Sequence, residues 1–128
     1  MLELTIKDNV CQFKFGMGFM REINGKVKRS APDAPEIKED IGLQMAIAGL
    51  IDKDPVTLID VLDIANKGQT PRVKRSELDD YIDDEETDID ALFGEVMEEL
   101  KKQNATKTKT EAILKEVERL KAKMAAEA

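Results

Sequence analysis

The chain opens with strict alternation. Leu2, Leu4 and Ile6 fall on one side of an extended backbone, and Glu3, Thr5 and Lys7 fall on the other. Cys11, Phe13 and Phe15 then alternate with Gln12 and Lys14. A period of two marks a strand with one buried face. Asp8-Asn9 lies between the two runs, and both residues tolerate positive φ. The pattern predicts a β-hairpin with strands at about 2–7 and 10–15. A lone hairpin is marginal in water, so helices must cover its apolar face.

The period then lengthens. Gly16-Met17-Gly18 ends the second strand, and Phe19, Met20 and Ile23 predict a short helix before Asn24-Gly25. Residues 24–35 hold Gly25, Pro32, Pro35 and several basic side chains, a composition that predicts a loop. Ile37, Ile41, Leu43, Met45, Ile47, Ala48 and Leu50 fit a helix over about 36–51. Asp54 and Pro55 stand as N-cap and first residue of a helix over about 55–67. In that helix only Asp60 and Asp63 interrupt the apolar positions, and Gly68 is placed to stop it.

The second half carries three capping patterns of Ser or Thr followed by an acid three residues on. Ser76/Asp79 predicts a short helix over 77–83. Thr87/Asp90 predicts one over about 88–102, whose apolar stripe is Ile89, Leu92, Phe93, Val96, Met97 and Leu100. Thr108/Glu111 predicts a last helix over about 109–126. There Ile113, Val117, Leu120 and Met124 are spaced 4, 3 and 4 apart, the narrow seam of a helix that meets another helix. These four residues are the candidate partner-binding set. The expected fold is α+β and mainly α: an N-terminal hairpin packed on about five helices, with a separate C-terminal amphipathic helix. The expected units are a folded domain over 1–104 and a partly independent helix over 105–128. Leu4, Ile6, Phe13, Phe15, Leu50, Leu58, Leu62, Leu92, Phe93, Val96 and Leu100 are the expected core.

Composition narrows the chemistry. The 128 residues contain no His and one Cys. The commonest general base and metal ligand is therefore missing, and neither a disulfide nor a thiolate zinc site can form within the chain. The expectation is no catalytic residue, no metal and no cofactor. The N-terminal residues show no basic stretch leading into an apolar run, and no apolar stretch approaches a membrane span. That predicts a soluble intracellular protein with no membrane partner.

The net charge of −7 hides three regions. Residues 1–76 hold 12 bases and 11 acids, residues 77–100 hold 12 acids and no base, and residues 101–128 hold 8 bases and 4 acids. An acidic block beside a basic tail argues against nucleic acid along the whole surface. The acids over 77–90 do not match a calcium loop, because no Gly falls at the sixth position from Asp79 or Asp83. They read as a solvated face and helix caps. Gly16-Met17-Gly18 lacks the third Gly of a dinucleotide loop, since Arg21 stands there, and it reads as a tight turn.

Several stretches together resemble a known family. They are Leu4-Thr5-Ile6, Phe13-Lys14-Phe15-Gly16-Met17-Gly18-Phe19-Met20-Arg21-Glu22-Ile23, Gly42-Leu43-Gln44-Met45-Ala46, Gly49-Leu50 and Asp54-Pro55-Val56-Thr57-Leu58. Leu78-Asp79-Asp80-Tyr81-Ile82-Asp83 and the run from Ala91-Leu92-Phe93-Gly94 to Asn104-Ala105-Thr106 complete the set. Their order over roughly 2–107 resembles the tail assembly chaperones of long-tailed phages and prophages of Gram-positive hosts. The first hairpin departs from the family's frequent Gly-containing turn.

The resemblance implies a non-catalytic chaperone that binds the tape measure protein and keeps it soluble until tail tube subunits polymerise. It also implies self-association, a longer frameshifted form, contact with tail tube protein, action in the host cytoplasm and absence from the finished virion. The alternative reading is a small acidic adaptor or inhibitor of a host protein, imitating DNA through residues 77–100.

Overall fold

A computed structural model describes residues 1–127. The first hairpin pairs β1 (Leu2–Ile6) with β2 (Asn9–Phe13) in antiparallel register, Leu2 opposite Phe13 and Leu4 opposite Cys11. Its turn lies one residue earlier than the sequence predicts. Lys7 and Asp8 take φ of 50° and 66°, and Asn9 already belongs to β2. Two consecutive positive φ values make the turn whose twist matches a hairpin. Phe15 lies beyond the second strand yet is fully buried.

α3 (Pro55–Asn66), α4 (Arg75–Asp83) and α5 (Ile89–Lys102) pack on this hairpin, and α1 (Met17–Gly25) and α2 (Gly42–Ile51) pack on α3. Phe15 and Phe19 meet edge to face with ring centroids 5.0 Å apart. The approach of α1 and α2 requires Gly42, because a Cβ there would sit 1.8 Å from the Ile23 carbonyl oxygen. Asp54 caps α3 by accepting from the Val56 N–H at 3.0 Å, and Gly68 follows that helix at φ +82°. All eleven expected core residues are buried in one cluster. No helix among the described residues is long and apolar enough to cross a membrane.

The predicted loop over 24–35 is instead part of a second hairpin. β3 (Lys28–Ala31) pairs antiparallel with β4 (Ala34–Asp40). The predicted helix over 36–51 therefore begins at Gly42, and Ile37 lies exposed on a strand. This hairpin buries almost nothing, and charge sets its register. Lys28 faces and pairs with Asp40, Arg29 pairs with Glu39, and Lys38 donates to the Ser30 hydroxyl. Opposite charges set directly across an antiparallel pair favour that alignment over its neighbours.

Three caps also fall elsewhere than the Ser/Thr patterns predict. α4 spans Arg75–Asp83, with Lys74 before it and Glu77 reaching back to the Lys74 N–H at 3.0 Å. Asp88, not Thr87, caps α5 by accepting from the Ala91 N–H at 3.0 Å, while the Thr87 hydroxyl donates to the Tyr81 carbonyl. α6 spans Lys107–Glu127, so Thr108 lies inside it rather than at its cap. Thr106 holds the α5–α6 corner, its hydroxyl donating to the Leu100 carbonyl at 2.8 Å.

A buried amide joins the hairpin, α3 and the following link. Asn66 donates to the Gln12 and Pro71 carbonyls at 2.9 and 3.3 Å. Its side-chain oxygen accepts from the Val73 N–H at 2.6 Å and from Arg72 at 3.1 Å. Asp60 and Asp63, the two interruptions of α3, receive Arg75 and Arg72 at 2.7 and 3.0 Å.

Candidate partner-binding face

α6 is 21 residues long, about 30 Å at the helical rise. Its seam does not begin at Ile113. Thr106 and Thr110 precede Ile113 at the same 4, 3 spacing, and both are 0% exposed. Ile113 and Leu114 pack against the rim of the core, where α6 meets α5 and α2. Val117 is half-buried, Leu120 is 45% exposed and Met124 is 70% exposed. From residue 118 to 127 every side chain is exposed. One stripe thus leaves the interior and continues into solvent.

The predicted residues do not face solvent alone. Ile113, Val117 and Leu120 form one wall of a groove of about 300 Å³, and Gln44 and Ala48 of α2 form the other. Met124 lies beyond it. A second, shallower depression continues past Ala48 to Met45 and Thr57, with Val117 again on its edge. Met45 is half exposed, so α2 adds a large apolar side chain to this surface. α2 is amphipathic in an unusual sense: Leu43, Ala46, Ile47 and Leu50 face the core, while Gln44 and Ala48 face the groove and Met45 the shallower depression.

A family model described as phage tail assembly chaperone protein, TAC, matches residues 3–115. The chain belongs to the phage tail assembly chaperone family. No curated protein and no solved structure gives a match. The matched stretch takes in both hairpins and α1 to α5, and it ends inside α6, two residues before Val117. What defines this chaperone as a family member is therefore its body and the docked start of α6. The exposed part of the seam lies past it.

The other candidates in the chaperone have structural explanations. Gly16 and Gly18 join an antiparallel strand to α1, and the Met20 N–H donates to the Gly16 carbonyl at 2.9 Å, a tight turn without the parallel crossover of a dinucleotide fold. Asp79, Asp80, Asp83 and Asp84 are exposed, and Asp80 lies 3.7 Å from Lys7. Asp84 and Asp88 serve as local caps. Among the described residues no group of three or more acids, Cys or His is placed to hold a metal. Cys11 is buried, and burial pushes its thiol up, which leaves it unreactive.

Glu99 is a buried acid that the sequence pattern conceals. Burial alone would raise its carboxyl, but Gln103 at 2.7 Å, Lys102 at 3.1 Å and the terminal ammonium at 3.4 Å together hold it below the usual range. It sits at the end of α5, where a charged residue reads as exposed.

Proposed function

We propose that this chaperone binds the tape measure protein and keeps it soluble until tail tube subunits polymerise around it, without catalysis. The exposed half of the α6 seam carries the reading. Ile113, Val117, Leu120 and Met124 are the contact residues on this side. A helical client exposes apolar stripes, and an apolar seam on a projecting helix covers such a stripe. Burying Leu120 and Met124 would contribute roughly 2–3 kcal/mol. That is modest, as suits a client that must later be handed to tail tube protein. Net charge keeps the complex dispersed. In this reading the chaperone acts in the host cytoplasm, is absent from the virion, and also meets copies of itself and a longer frameshifted form. The helix over 105–128 is the partly independent unit in this reading, and within it residues 118–127 are exposed.

Co-expression tests it. A tape measure protein that is insoluble alone should become soluble beside this chaperone. A tape measure protein that stays insoluble while the chaperone is folded and abundant would refute the reading.

A further inference from the structure

Resting on that reading, we propose that the client helix lies in the groove between α2 and α6, and that acidic residues flank its apolar stripe. Contact would thus include the body of the chaperone as well as its projecting helix.

Continuity places the occupant. The seam of α6 is covered by α5 and α2 at Thr106 and Thr110 and by nothing among the described residues at Leu120 and Met124. The groove overlaps the last of this internal cover and runs past it. Its α2 wall is low because Ala48 is short, and its length from Lys109 to Leu120 is about 16 Å, three helical turns. That accommodates the two or three anchor side chains of a docked amphipathic helix.

Charge states the chemistry of the occupant. Along a helical seam the flanking positions face the flanks of the partner. On one side of this seam these are Lys109, Glu116 and Lys123, and on the other Leu114 and Lys121. Leu114 packs against the core. Glu116 is occupied by Arg119, whose Nε donates to it at 3.0 Å. Lys109, Lys121 and Lys123 make no salt bridge among the described residues. An acidic flank would meet Lys109 in the groove and Lys121 and Lys123 just past its end on α6, whereas a basic flank would meet like charge.

A second copy of this chain does not supply such a helix. Its α6 would bring the same lysines. Its acidic helices have their apolar stripes turned to the core, α4 at Leu78 and Ile82 and α5 at Leu92, Phe93, Val96 and Leu100. The occupant is a different chain.

Fluorescein-labelled helical peptides of three heptads test this on the full-length chaperone. Both carry Leu along the seam; one has Glu at the flanking positions and the other Lys. Anisotropy should show the Glu peptide binding about tenfold tighter at low salt, with the gap closing at high salt. Ala48→Glu, at an exposed position, should weaken the Glu peptide at least about tenfold while circular dichroism and Tm stay unchanged. Lys109→Glu with Lys123→Glu should reverse the preference.

Equal affinities, no binding, or indifference to Ala48→Glu would overturn the proposal. So would a dimer seen by light scattering that Ala48→Glu disrupts while neither peptide binds, since the occupant would then be a second copy. The titration needs no tape measure protein. The chaperone reading alone fails if the peptides behave as stated and wild-type chaperone leaves the tape measure protein insoluble. The groove alone fails if Ala48→Glu chaperone still keeps it soluble and the peptides do not bind.

Discussion

Thr106, just ahead of α6, and Thr110 in its first turn are fully buried, whereas Leu120 and Met124 further along the same seam are 45% and 70% exposed. The chemistry runs opposite to what burial within one molecule would select. Small polar residues sit where the helix is covered, and large apolar residues sit where it is open. Single exposed apolar side chains are ordinary. Two in register with a docked seam carry that seam into solvent. In the function proposed above, the docked half answers to the fold and the open half to a partner.

The sharpest way to break this contrast is to cut α6 at two places. Removing residues 105–128 should cost about 4 kcal/mol or more, because α5 and α2 lose their cover from Thr106, Thr110, Ile113 and Leu114. Removing residues 118–128 should change stability by less than about 0.5 kcal/mol, since residues 118–127 are exposed. Urea unfolding of both forms checks this. Equal losses would dissolve the contrast.

Next in size is a change in the body that leaves both halves of α6 intact. Asn66→Ala should cost about 3 kcal/mol, because it orphans the Gln12 carbonyl and the buried Val73 N–H. Its unfolding midpoint should fall while α6 peptide binding at low temperature persists.

A smaller change sharpens the docked half. The Thr110 hydroxyl is buried with no hydrogen-bond partner among the described residues. Thr110→Val keeps the shape and removes the unpaired group, and should stabilise by about 1 kcal/mol. Urea unfolding reads it. A loss of stability would mean that the hydroxyl has a bond to water.

The smallest effect is a pH dependence. Glu99 has its folded pKa below the ordinary 4.5, so the unfolded chain holds the proton more tightly. Its contribution is complete above that ordinary value and is lost as pH falls through the lowered one. Glu99→Gln should flatten stability across this acid window and leave its pH dependence unchanged above it. An unchanged acid limb in thermal melts would contradict the pairing.

Much of the fold was legible because its periods are strong. Alternation at Leu2, Leu4 and Ile6 gave β1, and Asp54-Pro55 marked the start of α3 without error. The second hairpin was not legible from apolar pattern because it has none. Its signal was charge symmetry: a basic run at Lys28-Arg29 facing an acidic run at Glu39-Asp40 about the Pro32-Asp33 turn. Caps at Ser76, Thr87 and Thr108 misled because any Ser or Thr three residues before an acid fits the pattern, and the backbone uses one site among several. The seam was readable as spacing along one helix. The α2 wall was not, since Gln44 and Ala48 come from a helix whose other face is core, and only the tertiary fold sets them opposite Val117.

The central claim is that the open half of the seam serves a partner and not the fold. Leu120→Ser with Met124→Ser in one chain tests it directly, by co-expression with the tape measure protein and a fractionation of the lysate. The account predicts a variant with the wild-type Tm that leaves the tape measure protein in the pellet. A variant that keeps the tape measure protein in the supernatant as well as the wild type does would contradict it.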